Sequence, residues 1–253
     1  MIMPKQIGII KLKGKIGDLS LYKSKDGYMA RQKGGIDKER IQKDPAFERT
    51  RENGREFGRA ARNGKLVRAA LKSVLSRAQD SRITARLHQV MMQVLQTDPV
   101  NGRGERSIVN GNMQLLHGFE CNAEAPLAST LFVPYTLEVD RSTGIFEVKL
   151  ESFSPVEAMN VPEGTTHFRL LSASAEVNIN QNTYKSVKED SDWLSWDGAI
   201  LPEMSLQHQL SADSKLPVFT LLGIEFGQEV NGEIYLLQSG AYNALQIISV
   251  DTL

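Results

Sequence analysis

The hydrophobic pattern of this chain changes its period after Cys121. Before that point, residues 66–75 and 83–95 carry apolar side chains every three or four positions, which predicts two amphipathic helices. From Leu131 onward, apolar and polar residues alternate, as they do in strands with one buried face. In the clearest case, residues 171–179, the alternating serines are predicted to face solvent. The sequence therefore predicts an α+β protein: an N-terminal β-ribbon plus amphipathic helices, followed by an antiparallel β-sandwich.

Short dipeptides that favour turns divide these segments. Asp26-Gly27 predicts a hairpin within the N-terminal ribbon, and Asn231-Gly232 predicts a second hairpin after residues 218–230. Asp44-Pro45 places a capping residue before a proline, which is typical of a helix start. Asn53-Gly54 and Asn63-Gly64 are predicted to be helix ends or breaks.

The charge of the chain is segregated in the same way as its hydrophobic pattern. Residues 1–110 carry 24 Lys and Arg against 11 Asp and Glu, a net charge of +13. Residues 111–253 carry 6 against 19, a net charge of −13. We therefore expect a basic β-ribbon and helical region over residues 1–110, a linker over 111–130 and an acidic β-sandwich domain over 131–253.

Composition indicates a globular protein of a reducing compartment. Hydrophobic residues make up 41% of the chain and charged residues 24%, which is typical of folded domains. The single cysteine, Cys121, excludes an internal disulfide framework. Lysines interrupt the apolar patches of the N-terminus, and no apolar stretch is long enough for a membrane span. We expect a cytoplasmic protein with no membrane partner.

No motif of established chemistry is complete. A phosphate-binding loop ends in Gly-Lys followed by Ser or Thr, but Leu66 follows Gly64-Lys65. His117 and Cys121 have the spacing of a zinc-ligand pair, yet structural zinc requires four ligands. The acidic segment 190–198 lacks the ligand spacing of a calcium loop and is interpreted as a solvated loop. The sequence predicts no catalytic residue, no metal site and no cofactor.

Four groups of residues are predicted to make contacts with partners. Six cations lie within residues 51–68, interleaved with glutamates. Arg51, Arg55, Arg59 and Arg62 share one helical face if the helix is continuous across Asn53-Gly54, and the pattern also fits a solvated face with internal salt bridges. The six cations are Arg51, Arg55, Arg59, Arg62, Lys65 and Arg68. The other groups are the ribbon cations Lys11, Lys13, Lys23 and Arg31, the small residues Gly54, Gly58 and Ala61, and the aromatic residues Trp193 and Trp196. Small residues permit close packing, either inside the protein or between subunits, and tryptophans are enriched at binding hot spots.

Three classes of function remain open from these features. The first is a non-enzymatic, self-assembling structural protein, in which the basic N-terminal half of one subunit contacts the acidic β-sandwich of its neighbour in a ring, filament or shell. The alternative is a nucleic-acid-binding protein that uses region 1–110 on DNA or RNA, with the β domain as a partner-binding module. An enzyme of unrecognised type has no specific support in the sequence. The expected partner is therefore another copy of the chain.

Three segments carry a resemblance to other proteins: residues 14–28, residues 44–61 and residues 223–232. In these segments the chain resembles uncharacterised proteins encoded in Bacteroidota genomes, and the resemblance extends over most of the chain. It implies a bacterial cytoplasm or a phage-derived element as the setting. It implies no activity and assigns no residue roles.

Overall fold

A computed structural model of the protein describes residues 4–32, 36–237 and 241–252. The chain forms two compact units, Met1–Glu52 and Asn53–Leu253. It mixes helices with antiparallel sheets, which confirms the predicted α+β class.

The first unit contains a three-stranded antiparallel ribbon. Its strands are β1 (Gly14–Ile16), β2 (Leu19–Ser24) and β3 (Gly27–Gln32), in the order β1-β2-β3. The β2–β3 hairpin turns at Lys25-Asp26, and Gly27 has a φ of 112°, so the predicted ribbon hairpin is confirmed. Helix α1 (Lys38–Lys43) and a 3-10 turn (Pro45–Phe47) follow. The side chain of Asp44 caps that turn by accepting from the backbone N–H of Ala46 at 2.9 Å, as the Asp-Pro signal predicts.

Very little of the first unit is buried. Among its described residues, only Met29 has less than a tenth of its surface exposed. Seven large hydrophobic side chains are exposed: Ile7, Ile9, Ile10, Leu12, Ile16, Leu19 and Ile36. A stable unit of this size normally buries more than half of the surface of its unfolded chain, so the apolar surface of this unit is unusually open.

Helix α2 (Glu48–Ala70) contains the boundary between the two units and is continuous through both Asn-Gly pairs. The predicted helix ends at Asn53-Gly54 and Asn63-Gly64 are therefore wrong. Gly64 lies within 4 Å of Met91 and Leu87, measured from an ideal Cβ, so helix packing there favours a small residue inside the helix. The propensity cost of about 1 kcal/mol per glycine is outweighed by this tertiary packing and by helix continuity.

The remaining helices of the second unit are shorter. They are α3 (Lys72–Leu75), α4 (Ile83–Gln96), α5 (Leu127–Thr130) and α6 (Pro155–Ala158), with a 3-10 turn over Met113–Leu116. Helix α4 confirms the second amphipathic segment, and five of its side chains are buried. Of the helices in the described ranges, none combines the length and apolar character needed to cross a membrane.

Two antiparallel sheets make up the rest of the second unit. The small sheet has the order β4-β5-β9, from β4 (Tyr135–Asp140), β5 (Ile145–Leu150) and β9 (Met204–Gln209). The large sheet has the order β11-β10-β6-β7, with β12 paired to β10 and β8 paired to β6. Its strands are β6 (His167–Asn178), β7 (Thr183–Asp190), β8 (Leu194–Ser195), β10 (Val218–Val230), β11 (Glu233–Leu236) and β12 (Ala244–Asp251). Both turn residues between β10 and β11 have positive φ, 54° at Asn231 and 83° at Gly232, which confirms the predicted second hairpin.

The central strands of the large sheet, β6, β10 and β12, are buried on both faces along most of their length. One face shares a hydrophobic core with α2, α3 and α4, and the other shares a core with the small sheet. Ser172 and Ser174 are consequently fully buried, so the prediction that the serine face of this strand is wet is wrong. The second sheet, formed by strands distant in sequence, covers the face that alternation alone assigns to solvent.

The compact units divide the chain at a different place from the charge boundary. Helix residues such as Val67 and Leu87 lie in one core with strand residues such as Phe219 and Ile247. The segment expected to be a linker, residues 111–130, also contributes buried side chains to the cores. Residues 53–110 therefore fold together with the β-strands, and the compact unit before them ends at Glu52.

Two helical glycines offer sites for stabilisation. A Cβ built on Gly54 or Gly58 meets no atom within 4 Å in the described part of the chain. We expect Gly54→Ala and Gly58→Ala each to raise the free energy of unfolding by about 0.5–1 kcal/mol, because alanine loses less backbone entropy in a helix. Urea unfolding of the purified variants measures this change.

Gly223→Ala is the contrasting variant for that measurement. Its Cβ would lie 2.5 Å from the carbonyl oxygen of Ala244, so this substitution should destabilise the protein. A loss of stability in Gly54→Ala or Gly58→Ala would contradict the open environment described for these glycines.

Candidate functional site

The structure divides the predicted basic face of α2 into paired and unpaired cations. Arg55 and Arg59 both contact the carboxylate of Glu105, at 3.3 and 3.5 Å. Arg59 also donates to the backbone carbonyls of Gly104 and Arg106. These two arginines therefore hold the loop that follows α4, and only part of the predicted face is available to a ligand.

Arg51 is used within the first unit. Its guanidinium donates to the backbone carbonyl of Ile41 at 2.8 Å and to that of Asp44 at 2.9 Å. It joins α1 and the following turn to the start of α2, which is a structural role.

The loop held by these arginines is tied down by two carboxylates. Asp98 accepts hydrogen bonds from three backbone N–H groups between residues 100 and 107 and from the side chain of Asn101. Burial opposes its negative charge, but these hydrogen bonds outweigh it and lower the pKa of Asp98 well below its usual range. Glu56, which is buried in α2, accepts from the backbone N–H of Gly104 at 2.7 Å. The loop is thus a fixed wall beside α2.

A half-open groove of about 720 Å³ lies against the C-terminal half of α2 in the second unit. One wall is α2, the other is the β6–β7 connection, and Ser107 belongs to the anchored loop. None of the described residues that line it is acidic. The lining residues are Arg59, Arg62, Asn63, Lys65, Leu66, Ala69, Ser107, Ile179, Asn180, Asn182 and Tyr184.

Two of the groove's cations have no internal partner. Arg62 and Lys65 are exposed, and within the described ranges no hydrogen bond or ion pair holds either side chain. Arg68 is half-buried and does not line the groove. Of the six predicted cations, the structure therefore places Arg59, Arg62 and Lys65 together at one concave site.

The predicted ribbon cations all lie on the surface of the first unit. Lys11, Lys13, Lys23 and Arg31 are exposed. Lys11 donates to the backbone carbonyl of Gln6, and the ammonium of Lys23 lies 5.8 Å from the ring centre of Tyr28. The ribbon therefore presents positive charge beside its exposed apolar side chains.

The predicted small residues do not make close internal contacts. Gly54 and Gly58 face open space, and Ala61 is exposed. Phe57, between them, is 60% exposed and its ring lies 4.2 Å from that of His88. Packing inside the described protein does not account for the small residues, and contact with another subunit remains a hypothesis.

Both predicted tryptophans are half-buried within the second unit. Trp196 packs against the core between the two sheets. The ring of Trp193 lies over the guanidinium of Arg169, 4.5 Å from ring centre to carbon. Both rings therefore have internal packing partners, and a role at an interface stays a prediction.

Sequence reasoning missed a buried charge network below Trp193. Glu225 of β10 is fully buried and forms ion pairs with both Arg77 and Arg169. Arg77 also contacts Asp190 at 2.6 Å. Burial opposes the charge of Arg77, but hydrogen bonds to Glu225 and Asp190 raise its pKa. A single acid inside the apolar run 218–226 is the signal that reveals such a pair, since buried carboxylates require partners.

A second polar network lies between the two sheets. Ser174 lies 2.9 Å from Nδ1 of His208 and 3.0 Å from the hydroxyl of Thr220. All three residues are buried, and His208 has no exposed surface. Burial lowers the pKa of His208 to about 4, so its ring is neutral at pH 7. A serine and a histidine in contact resemble a nucleophile and its base, but these two are closed to substrate.

The residues considered for metal or thiol chemistry are not arranged for either role in the described structure. Cys121 is buried, and burial raises the pKa of its thiol far above neutral pH, which keeps the thiol protonated. His117 is exposed on the surface. In the parts of the chain that the structure describes, no group of three or more His, Cys, Asp or Glu side chains is arranged to hold a metal ion. Gly64-Lys65 lies inside α2, so it forms no phosphate-binding loop.

In the described part of the chain, the groove and the ribbon are the candidate sites that carry predicted cations. Comparison of the chain with protein-family models, curated proteins and solved structures finds no match.

Proposed function

We propose that the protein is a non-enzymatic structural protein that assembles with copies of itself. The basic ribbon of one copy contacts the acidic second unit of the next. The observation that carries this proposal is the open apolar surface of the first unit, in which Met29 is the one buried residue among those described. Burying one large aliphatic side chain contributes roughly 1.5–3 kcal/mol, so a partner surface would stabilise this unit substantially.

The chemistry of the ribbon indicates how it would bind. Along residues 10–16, Lys11, Lys13 and Lys15 alternate with Ile10, Leu12 and Ile16 around Gly14. In an extended chain, this alternation places the ammonium groups on one face and the apolar groups on the other. Such a segment is suited to strand addition along the open edge of another sheet.

The second unit offers an edge of matching chemistry. Strand β11 is the last strand on its side of the large sheet in the described topology. Its hairpin carries the exposed carboxylates Glu229 and Glu233 beside the exposed side chains Val230, Tyr235 and Leu236. Carboxylates would attract the ribbon lysines, and the apolar side chains would cover the ribbon's aliphatic face.

A contact between different surfaces of identical subunits is heterologous. Such contacts build rings when the rotation closes and filaments or shells when it does not. Charge complementarity also makes the contact sensitive to salt, because screening shortens to a few ångströms as ionic strength approaches 1 M.

Charge reversal on each surface tests the proposal. We expect the full-length protein to sediment as an oligomer at about 50 mM salt and to dissociate at about 500 mM salt. Lys11→Glu with Lys13→Glu, or Glu229→Lys with Glu233→Lys, should each leave the protein monomeric. An equimolar mixture of the two variants should recover assembly, because the reversed surfaces complement each other.

The control changes the same charge in the same unit but outside the ribbon. Lys38→Glu with Lys43→Glu alters two exposed cations of α1 and should assemble as the unmodified protein does. A protein that stays monomeric at both salt concentrations, or that assembles equally well with either reversal, would overturn the proposal.

A further inference from the structure

The basic groove of the second unit combines free positive charge with a neutral opposite wall. Arg62 and Lys65 stand about one helical turn apart on α2, exposed and without partners in the described ranges. Asn180 and Asn182 of the β6–β7 connection and Tyr184 at the start of β7 line the opposite side of the groove. No acidic side chain is among the described residues that line the site, so none of them repels an approaching anion.

The charge of the groove contrasts with that of the unit around it. Residues 53–253 carry 17 Lys and Arg against 23 Asp and Glu, a net charge of −6. Within this net acidic unit, the groove is a local concentration of cations where an anion gains attraction at short range. Arg59 also lines the groove, but its guanidinium is held by Glu105 and by the loop carbonyls of residues 104 and 106, so Arg62 and Lys65 are the cations open to a ligand.

The opposite wall supplies groups that recognise more than charge. Tyr184 is 47% exposed, so one part of its ring is open to a stacking partner. Asn182 has a φ of 55°, and its amide, like that of Asn180, offers both a donor and an acceptor. An aromatic ring and amides opposite two cations match the parts of a nucleotide, which has a flat base and a phosphate.

We propose that this groove binds nucleotide units, with the phosphate at Arg62 and Lys65 and the base against Tyr184. Its volume lies in the range of small-molecule sites, and its half-open form leaves room for a single strand to continue beyond it. The site belongs to the second unit alone and does not depend on the proposed assembly.

Fluorescence anisotropy of the full-length protein with a labelled single-stranded oligothymidylate tests this site. At about 50 mM salt we expect saturable binding, and replacing Arg62 and Lys65 together by Ala should weaken it at least tenfold. With two phosphates neutralised, the logarithm of affinity should fall against the logarithm of salt concentration with a slope of about −1.4. Tyr184→Ala should weaken oligonucleotide binding about tenfold and leave competition by inorganic pyrophosphate unchanged.

Lys185→Ala is the matched control, because Lys185 is an exposed cation on the same strand that does not line the groove. Its oligonucleotide affinity should equal that of the unmodified protein. Competition by ATP distinguishes the source of the ligand: full displacement indicates a free nucleotide, and weak displacement indicates a strand.

Three results would overturn the inference. The first is absence of binding by both oligonucleotide and ATP at low salt. The second is an equal loss of affinity in Lys185→Ala and in the Arg62 and Lys65 variant. The third is unchanged oligonucleotide affinity in Tyr184→Ala, which would reduce the groove to a site for simple anions. Sedimentation of the same variants measures their oligomeric state independently, so a failure of nucleotide binding can be distinguished from a failure of assembly.

Discussion

Replacing Glu225 by Gln should lower the free energy of unfolding by about 3–5 kcal/mol, the range seen when one partner of a buried ion pair is removed. The Glu225 carboxylate has no exposed surface, and the side chains of Arg77 and Arg169 are only 15% and 26% exposed. Both guanidinium groups would lose their shared anion while remaining largely out of water. Chemical unfolding in urea at neutral pH measures the change.

The geometry explains why the Glu225 carboxylate is expected to contribute so much to stability. Arg77 donates to both carboxylate oxygens of Glu225. Arg169, which lies directly opposite Glu225 on the neighbouring strand β6, contacts one of these oxygens at 2.5 Å. Arg77 lies just after α3, so the carboxylate connects the helical layer to the large sheet. Asn243 strengthens the same junction by donating to the backbone carbonyl of Arg77 at 2.9 Å.

Glu189→Gln is the matched control, since Glu189 lies on β7 of the same sheet, is exposed and lies outside the proposed assembly surface. It should change stability by no more than about 0.5 kcal/mol. Combining Glu225→Gln with Arg169→Met should cost less than the sum of the two single changes, because only Arg77 then lacks its Glu225 partner, and Arg77 keeps its contact with Asp190. If Glu225→Gln is no more harmful than Glu189→Gln, the network does not support the junction between helices and sheet.

Much of the fold follows from local sequence signals. The hairpin turns at Asp26-Gly27 and Asn231-Gly232, the capped turn at Asp44 and the amphipathic pattern of α4 all depend on neighbouring residues. Where the prediction is wrong, contacts with a segment distant in sequence determine the local structure or burial. Gly64 stays helical because Met91 packs against it, and Ser174 is buried because β9 covers it.

The candidate sites depend even more on distant contacts. The spacing of Arg59, Arg62 and Lys65 on one helix predicts a shared face, but not which of them is free. That depends on the loop around Glu105, which engages Arg59, and on the β6–β7 connection, which forms the other wall of the groove. Asn180 and Tyr184 are more than a hundred residues from α2, so no local pattern joins them to it.

The charge difference between the two compact units is smaller than the difference between the two halves of the sequence. Part of the segregated charge is satisfied within the second unit, where Arg77 of the basic half forms ion pairs with Glu225 and Asp190 of the acidic half. The first unit retains 13 Lys and Arg against 7 Asp and Glu, a net charge of +6 opposite the −6 of the second. The complementarity available for assembly is therefore about half of what the boundary at residue 110 indicates.

Acidification should destabilise the protein through His208. Its pKa is about 4 in the folded protein, lowered by burial from an ordinary value of 6.5. The unfolded chain therefore binds a proton first as pH falls, so stability is fully present above about pH 6.5 and declines toward pH 4. One pKa unit corresponds to about 1.4 kcal/mol, which gives a loss of about 3 kcal/mol from this residue across that window.

The difference between the protein and a His208→Gln variant isolates this contribution, since exposed and paired carboxylates titrate equally in both. Glutamine keeps a polar group within reach of Ser174 and Thr220 but takes up no proton. Urea unfolding from about pH 7.5 to about pH 4.5 should show the stability gap narrowing or reversing as the pH falls. His117→Gln, which alters an exposed histidine, should leave the slope unchanged. If the free energies of unfolding of the unmodified protein and of His208→Gln change in parallel with pH, the space between the sheets accommodates the charged ring. The description of Ser174 and His208 as a network closed to solvent would then be contradicted.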